Sequence, residues 1–314
     1  MPKHVQLSVV VPIYKEEANI RPFLERIETV LVRLNTTYEI IFALDPSPDG
    51  TESVVHEEIL RNPNIKLLVF SRRFGQPAAT MAGILASNGE TCVVIDVDLQ
   101  DPPELIGDLY SKLAEGYEVV YAQRRSRKGE HALKRLISYA GYAVINRLSE
   151  VEIPRNTGDF RLMSRRVIDE LRKLNESHGF LRGLVALVGF RQGYVLYDRQ
   201  ERFAGTGHYN RITGSLKIGL NGLISFSSRP LQIMMMAGIA LAGFSFLLGG
   251  WYVVQRLAGV PLTPGLSTIV LVVTFFAGVQ LLALGLMGEY VGRIYDEVKR
   301  RPLYILDKKV NFDD

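Results

Sequence analysis

Along the first two thirds of the chain the apolar positions switch between two periods. Leu7 to Ile13 is a continuous β-rich run, and Asn19 to Leu34 then repeats apolar residues at Ile20, Phe23, Leu24, Ile27, Leu31 and Leu34, one face of a helix. The alternation continues: strand Tyr38 to Leu44, a helix from Thr51 capped by Asp49 and Glu52, strand Ile65 to Phe70, helix Ala78 to Ser87 and strand Thr91 to Val97. Helix Pro102 to Glu115 and strand Glu118 to Tyr121 complete it. Strands alternating with helices predict a mostly parallel sheet flanked by helices, an α/β fold.

A different pattern follows. Leu231 to Val254 and Leu266 to Met287 carry no charge, and between Pro230 and Gly288 only Arg256 is charged. Each run exceeds the roughly 20 residues that cross a bilayer, which predicts a transmembrane hairpin. Lys217 and Arg229 precede the first run and Arg293, Lys299, Arg300 and Arg301 follow the second, so the basic flanks put both termini in the cytoplasm. This divides the chain into a catalytic-sized domain over 1–210, a juxtamembrane segment over 211–229, two spans (231–254 and 266–287) within 230–288, and a cytoplasmic tail over 289–314. In 211–229, Ile212, Leu216, Leu220, Leu223 and Ile224 share one face, as in a helix lying in the headgroup layer or in a last core helix.

Composition sharpens this only slightly. A formal charge of +4 over 314 residues suits phosphate-bearing ligands or an anionic membrane surface, and no basic stripe with interleaved aromatics marks a nucleic-acid partner. The one cysteine, Cys92, lies in an apolar run and reads as core. Gly243, Gly249 and Gly278 permit close helix contact in the spans, within one subunit or between subunits of a homo-oligomer. With no ionisable residue inside either span, a transport pathway has no polar lining.

Ligands of open parallel sheets bind beyond the carboxyl ends of the strands. The loops starting at Tyr14, Asp45, Ser71, Asp96 and Arg124 therefore share one rim, with carboxylates in one sector and arginines in another. Neither GxxxxGK[ST] nor GxGxxG occurs. In DVDLQDPPE, Asp101 and Glu104 have the spacing of a capping box around Pro102. Asp96 and Asp98 have no such use: two residues apart at a strand end, their charges face one way and call for a hard divalent cation, Mg²⁺ or Mn²⁺. Gln100 offers a third oxygen if extended geometry persists.

VVPIYKEE (10–17), LDPSPDGT (44–51), SRRFGQPAATMAGI (71–84), DVDLQDPPE (96–104), RRSRKGE (124–130) and TGDFRLMSR (157–165), in that order and followed by a two-span tail, resemble the family 2 glycosyltransferases that load polyprenyl phosphates. Among these the chain looks most like the bactoprenol (undecaprenyl-phosphate) glucosyltransferases, with dolichol-phosphate mannose synthases as relatives. The resemblance implies a GT-A fold at the cytoplasmic membrane and an inverting, metal-dependent transfer of a hexose from a nucleotide sugar to a polyprenyl phosphate. UDP-glucose is the implied donor and GDP-mannose the alternative. By the same resemblance Pro12, Tyr14, Glu16, Asp45 and Asp96 line the nucleotide pocket, and Asp96, Asp98 and Gln100 hold the metal. Asp98, Asp159 and Arg161 serve the chemistry, Asp159 near the acceptor or as a partner for Arg161, and Arg124, Arg127 and Arg202 take the acceptor phosphate. Two departures stand out: Leu44 where relatives pair a second aspartate with Asp45, and Gly207-His208 where relatives carry serine and lysine. The processive synthases' QxxRW motif is missing, since the sole tryptophan, Trp251, lies inside a span.

Overall fold

In a computed structural model of the chain, residues 4–125, 157–174, 181–198, 224, 227–259 and 265–312 are described. Arg127, Arg202, His208 and nearly all of the juxtamembrane segment lie outside them.

The long β-branched runs become adjacent strands. β1 (Leu7–Ile13), β2 (Tyr38–Leu44), β3 (Ile65–Phe70) and β4 (Thr91–Val94) pair in parallel, linked by α1 (Glu17–Leu34), α2 (Thr51–Arg61) and α3 (Gln76–Ala86). A 3₁₀ turn, Pro103–Leu105, and α4 (Ile106–Ala114) lead to β5 (Val119–Arg124). β6 (Thr157–Ser164), α5 (Arg165–Lys173), α6 (Leu181–Val188) and β7 (Gln192–Tyr197) follow. With β8 (Leu306–Val310) at one edge, the eight-stranded sheet has the order β7-β5-β6-β4-β1-β2-β3-β8, with β6 antiparallel between β5 and β4.

Both sheet faces are covered, which is why the parallel strands are mostly apolar, and the buried exception Glu39 is held by Ser8 and Lys66. Val9 and Val11 face α1 and α4 with Ile20, Phe23, Ile27 and Leu109, while Val10 and Val94 face α3, α5 and α6 with Met81, Ile84, Val167 and Leu184. Cys92 belongs to the second layer, and burial pushes its thiol up to about 12, as expected of a core residue.

The apolar runs form α7 (Arg229–Leu257) and α8 (Leu266–Val298), two helices long and apolar enough to cross a membrane. Ile233, Phe244, Phe246, Trp251, Phe275 and Leu282 are exposed along them, a surface that suits lipid. α8 continues eleven residues past Met287, through Glu289, Arg293, Asp296 and Glu297.

The chain after α8 does not trail away as a tail. Leu306–Val310 forms β8, antiparallel to β3 at the sheet edge, and Tyr304, Leu306 and Phe312 pack against Phe70 and Phe74. Asn311 Nδ2 donates to the carbonyls of Pro63 (2.8 Å) and Ile65 (2.7 Å), pinning the strand's end.

Candidate active site

Strand β4 stops at Val94, three residues earlier than its apolar pattern predicts, and residues 97–100 turn. Leu99 takes φ +59°, a left-handed conformation that strains a side chain of this size by about 1–3 kcal/mol and is held by burial of Leu99 in the core. The amide of Gln100 donates to Asp98 Oδ1 at 3.1 Å. Extended geometry therefore ends before Gln100, and the alternation expected to bring its side chain beside Asp96 and Asp98 does not hold. Asp98 is only 4% exposed.

Strand β6 brings the next group. Thr91 pairs with Ser164 and Val94 with Arg161, and the same register extended by two residues sets Asp159 opposite Asp96. Asp159 Oδ1 accepts from Arg161 Nη2 and from Arg182 Nε, both at 3.2 Å. Burial opposes ionisation of Asp159, but the charges of Arg182 and Arg161 outweigh it and hold its pKa below the ordinary value. A carboxylate so held is a firm anion and a weak proton acceptor, so the geometry favours its partner role over that of a base. Arg161 is fully buried, donates to the Gly158 carbonyl at 3.1 Å, and its Nη1 has no hydrogen-bond partner among the described residues. Arg182, in the first turn of α6, carries no motif and went unnoticed in the sequence.

Asp101 and Glu104, spaced as a capping box, both have partners far off in the chain. Asp101, 1% exposed, accepts from the Tyr197 hydroxyl and faces Arg124 Nη2 at 3.5 Å, while Glu104 forms a paired bridge with Arg26 at 2.7 and 3.1 Å. Tertiary partners have taken both side chains, and the helix starts with a 3₁₀ turn without a side-chain cap. Arg124 ends β5 instead of opening a loop, and its Nε donates to the Tyr197 hydroxyl at 3.0 Å. Burial disfavours its charge, but Asp101 more than restores it. Its side chain crosses β6 at Gly158, where an added Cβ would stand 2.9 Å from Nη2.

On the other side of β4 lies the sector that the motif resemblance assigns to the nucleotide. Pro12 is buried one residue before the end of β1, Lys15 takes φ +57°, and the Glu16 amide donates to the Thr51 hydroxyl at 3.1 Å while its carboxylate accepts from Asn19. Asp45, 3% exposed, accepts the amides of Phe74 (2.9 Å) and Gly75 (2.8 Å), so both its oxygens hold the 71–76 loop. Gly75, at φ +91°, supplies the turn that presents its amide. The loop then lays Arg73 over the Tyr14 ring at 4.0 Å, and Gln76 Nε2 donates to Asp96 Oδ1 at 2.8 Å.

Burial, then repulsion from Asp159, Asp101 and Asp98, pushes the Asp96 carboxyl up to about 8 against the opposing charge of Arg124. No group of three His, Cys, Asp or Glu side chains is placed to hold a metal among the described residues. One or two carboxylates, with the remaining ligands left to a diphosphate and water, are the donor set Mg²⁺ or Mn²⁺ accepts in nucleotide sites. The residues fit such a cation.

Residues 8–172 match the family model for glycosyl transferase family 2. An uncharacterized glycosyltransferase of Bacillus subtilis is 42% identical over the whole chain and 97% of its own length. An SfII prophage-derived bactoprenol glucosyl transferase of Shigella flexneri is 37% identical over 97% of this chain and 98% of that protein. Among solved structures, glucosyl-3-phosphoglycerate synthase from Mycobacterium tuberculosis, in complex with Mn²⁺, UDP and phosphoglyceric acid, superposes with a TM-score of 0.51 at 18% identity, covering 70% of this chain and 76% of that one. That likeness is one of fold.

Proposed function

The chain belongs to glycosyl transferase family 2, and we propose that this enzyme transfers a hexose, with inversion, from a nucleotide sugar to a polyprenyl phosphate at the cytoplasmic face of a membrane. Glucose from UDP-glucose is the proposed donor pair, in keeping with the bactoprenol glucosyl transferase relative. One observation carries the reading: Asp96, its carboxyl raised by burial and by neighbouring carboxylates, lies with the buried Asp98 opposite an Asp159 that holds two guanidinium groups, on a sheet joined to two membrane-length helices.

Asp96 and Asp98 would hold a divalent cation, whose chemistry is to neutralise the charge gathering on the departing nucleoside diphosphate. Asp45 shapes the nucleotide pocket through the amides of Phe74 and Gly75, and Gln76 orients Asp96. Pro12, Tyr14 and Glu16 form the opposite wall of that pocket. The acceptor's phosphate oxygen attacks the anomeric carbon as the bond from that carbon to the diphosphate oxygen breaks. A lipid phosphate with a second pKa near 6 is already anionic at neutral pH, so positioning by arginine replaces a strong base. Arg161 and Arg124 belong to that cationic sector, and Arg127 and Arg202 are assigned to it by motif.

The membrane arrangement has its own support. β8 rejoins the sheet beside β3, so the chain leaving α8 comes back to the side that holds the site. A hairpin of two crossings meets that requirement and agrees with the basic flanks.

The test is a panel of radiolabelled nucleotide sugars, GDP-mannose included, offered with short-chain polyprenyl phosphate and Mg²⁺ or Mn²⁺ to the full-length protein in bilayers. Label in the lipid fraction from UDP-glucose, lost in Asp98→Asn, is the expected result. Undiminished transfer by Asp98→Asn would remove Asp98 from the site, and label from GDP-mannose alone would reassign the donor.

A further inference from the structure

Asp159 carries one negative charge and faces two guanidinium groups. Arg124 is paired with Asp101, which leaves Asp159 as the carboxylate partner of both Arg161 and Arg182 among the described residues. Arg161, fully buried, lies over the Tyr121 ring at 5.2 Å, yet its Nη1 has no hydrogen-bond partner among the described residues, a costly condition for a buried guanidinium. Arg182 stands in the first turn of α6, where a cation opposes the helix dipole, and no acidic residue shares that turn. Its Nε is spent on Asp159, its side chain is 26% exposed, and among the described residues its terminal nitrogens donate to no other group.

We propose that Arg182, seated on Asp159 with Arg161 behind it, binds a phosphate group of a substrate through its paired terminal N–H donors. This deepens the transferase reading and rests on it. The phosphate belongs either to the lipid acceptor or to the nucleoside diphosphate of the donor, since both present the same oxyanions to a guanidinium fork.

Calorimetric titration of the full-length protein with two probes, a short-chain polyprenyl phosphate and UDP with Mn²⁺, separates these. Arg182→Gln is expected to weaken one probe about tenfold or more, with the other within about twofold and the melting temperature little changed, since a paired charged contact has that worth. Loss on the lipid arm assigns the acceptor phosphate; loss on the UDP arm assigns the diphosphate. Arg182→Lys keeps the charge on Asp159 but not the fork, and should recover only part of the affinity. If Arg182→Gln does not fold, Arg182→Lys carries the test. Affinity for both probes within about twofold of wild type in that variant, or equal losses on both arms with a lowered melting temperature, overturns the assignment. A wild-type protein that binds both probes yet transfers no sugar would sink the transferase reading and leave this one standing.

Discussion

Asp96 should make cation binding depend steeply on pH. Burial and three neighbouring carboxylates raise it from an ordinary 3.8 to about 8, so at pH 7, one unit below that midpoint, only about one molecule in ten carries the charge that a metal needs. A cation bound there must displace the proton. Its apparent dissociation constant is therefore expected to tighten about tenfold for each pH unit from 6 to about 8 and then to level off. Stability follows the same linkage with a definite sign. Between pH 3.8 and about 8 the folded protein holds a proton on Asp96 that the unfolded chain has lost, so metal-free stability falls as pH rises through that window, by Asp96's contribution. Added cation reverses the trend, and its stabilisation should be largest above pH 8. Mn²⁺ titrations by calorimetry at half-unit steps from pH 6 to 8.5, with matched melting curves, measure both, and Asp96→Asn should abolish the slope. Equal Mn²⁺ affinity at pH 6 and pH 8, or a slope that survives in Asp96→Asn, refutes the electrostatic account of this corner.

Much of this fold was legible because the signals were local. β1, β2 and β3 fall where the mostly apolar, β-rich runs predict them, and the motif TGDFRLMSR lies on β6. What was hidden depends on partners distant in sequence. Asp101 and Glu104 obey every local rule for a cap, yet Tyr197 lies 96 residues from the one and Arg26 lies 78 from the other, and a charged or buried partner outweighs a cap worth about 1 kcal/mol. Val97 continues the apolar pattern of β4, but the turn at Leu99 ends the strand, and periodicity carries no sign of a left-handed residue. Leu306–Val310 reads LDKKV, short, charged and easily taken for a tail, because an edge strand buries little on its outer side. Arg182 lies in an ordinary apolar helix and gains meaning only from the register that sets Asp159 beside Asp96.

Three further perturbations probe the framework. Gly158→Ala puts a Cβ 2.9 Å from Arg124 Nη2, and because the guanidinium tip can move, the melting temperature should barely change while transfer falls several-fold. Asp45→Asn turns one acceptor oxygen into a donor facing the Phe74 or Gly75 amide, a loss of about 1–3 kcal/mol measurable by denaturant unfolding, with a raised KM for the nucleotide sugar. Gly83→Ala directs a methyl to 2.3 Å from Val10 Cγ1 on a stiff strand, and about 1–3 kcal/mol of stability should be lost with KM values unchanged.

The return of the chain after α8 ties the two long apolar helices to the 71–76 loop and Asp45. The Ser71 amide donates to the Ile305 carbonyl at 3.0 Å, Tyr304 packs edge-on to Phe70 at 5.7 Å, and Phe70 packs likewise on Phe74 at 6.1 Å. Phe74 in turn gives its amide to Asp45. A displacement of the tail therefore reaches the loop that carries Arg73 and Gln76 without passing through the sheet core. Tyr304→Ala removes one edge-on pair and part of the apolar cover over Phe70, together about 1–3 kcal/mol. Because the lost contacts lie under the 71–76 loop, the nucleotide-sugar KM should rise while the KM for polyprenyl phosphate holds, and Tyr304→Phe should restore it. A uniform fall in kcat with both KM values unchanged would mean that the tail serves stability alone, and that the sheet edge and the nucleotide loop are not coupled.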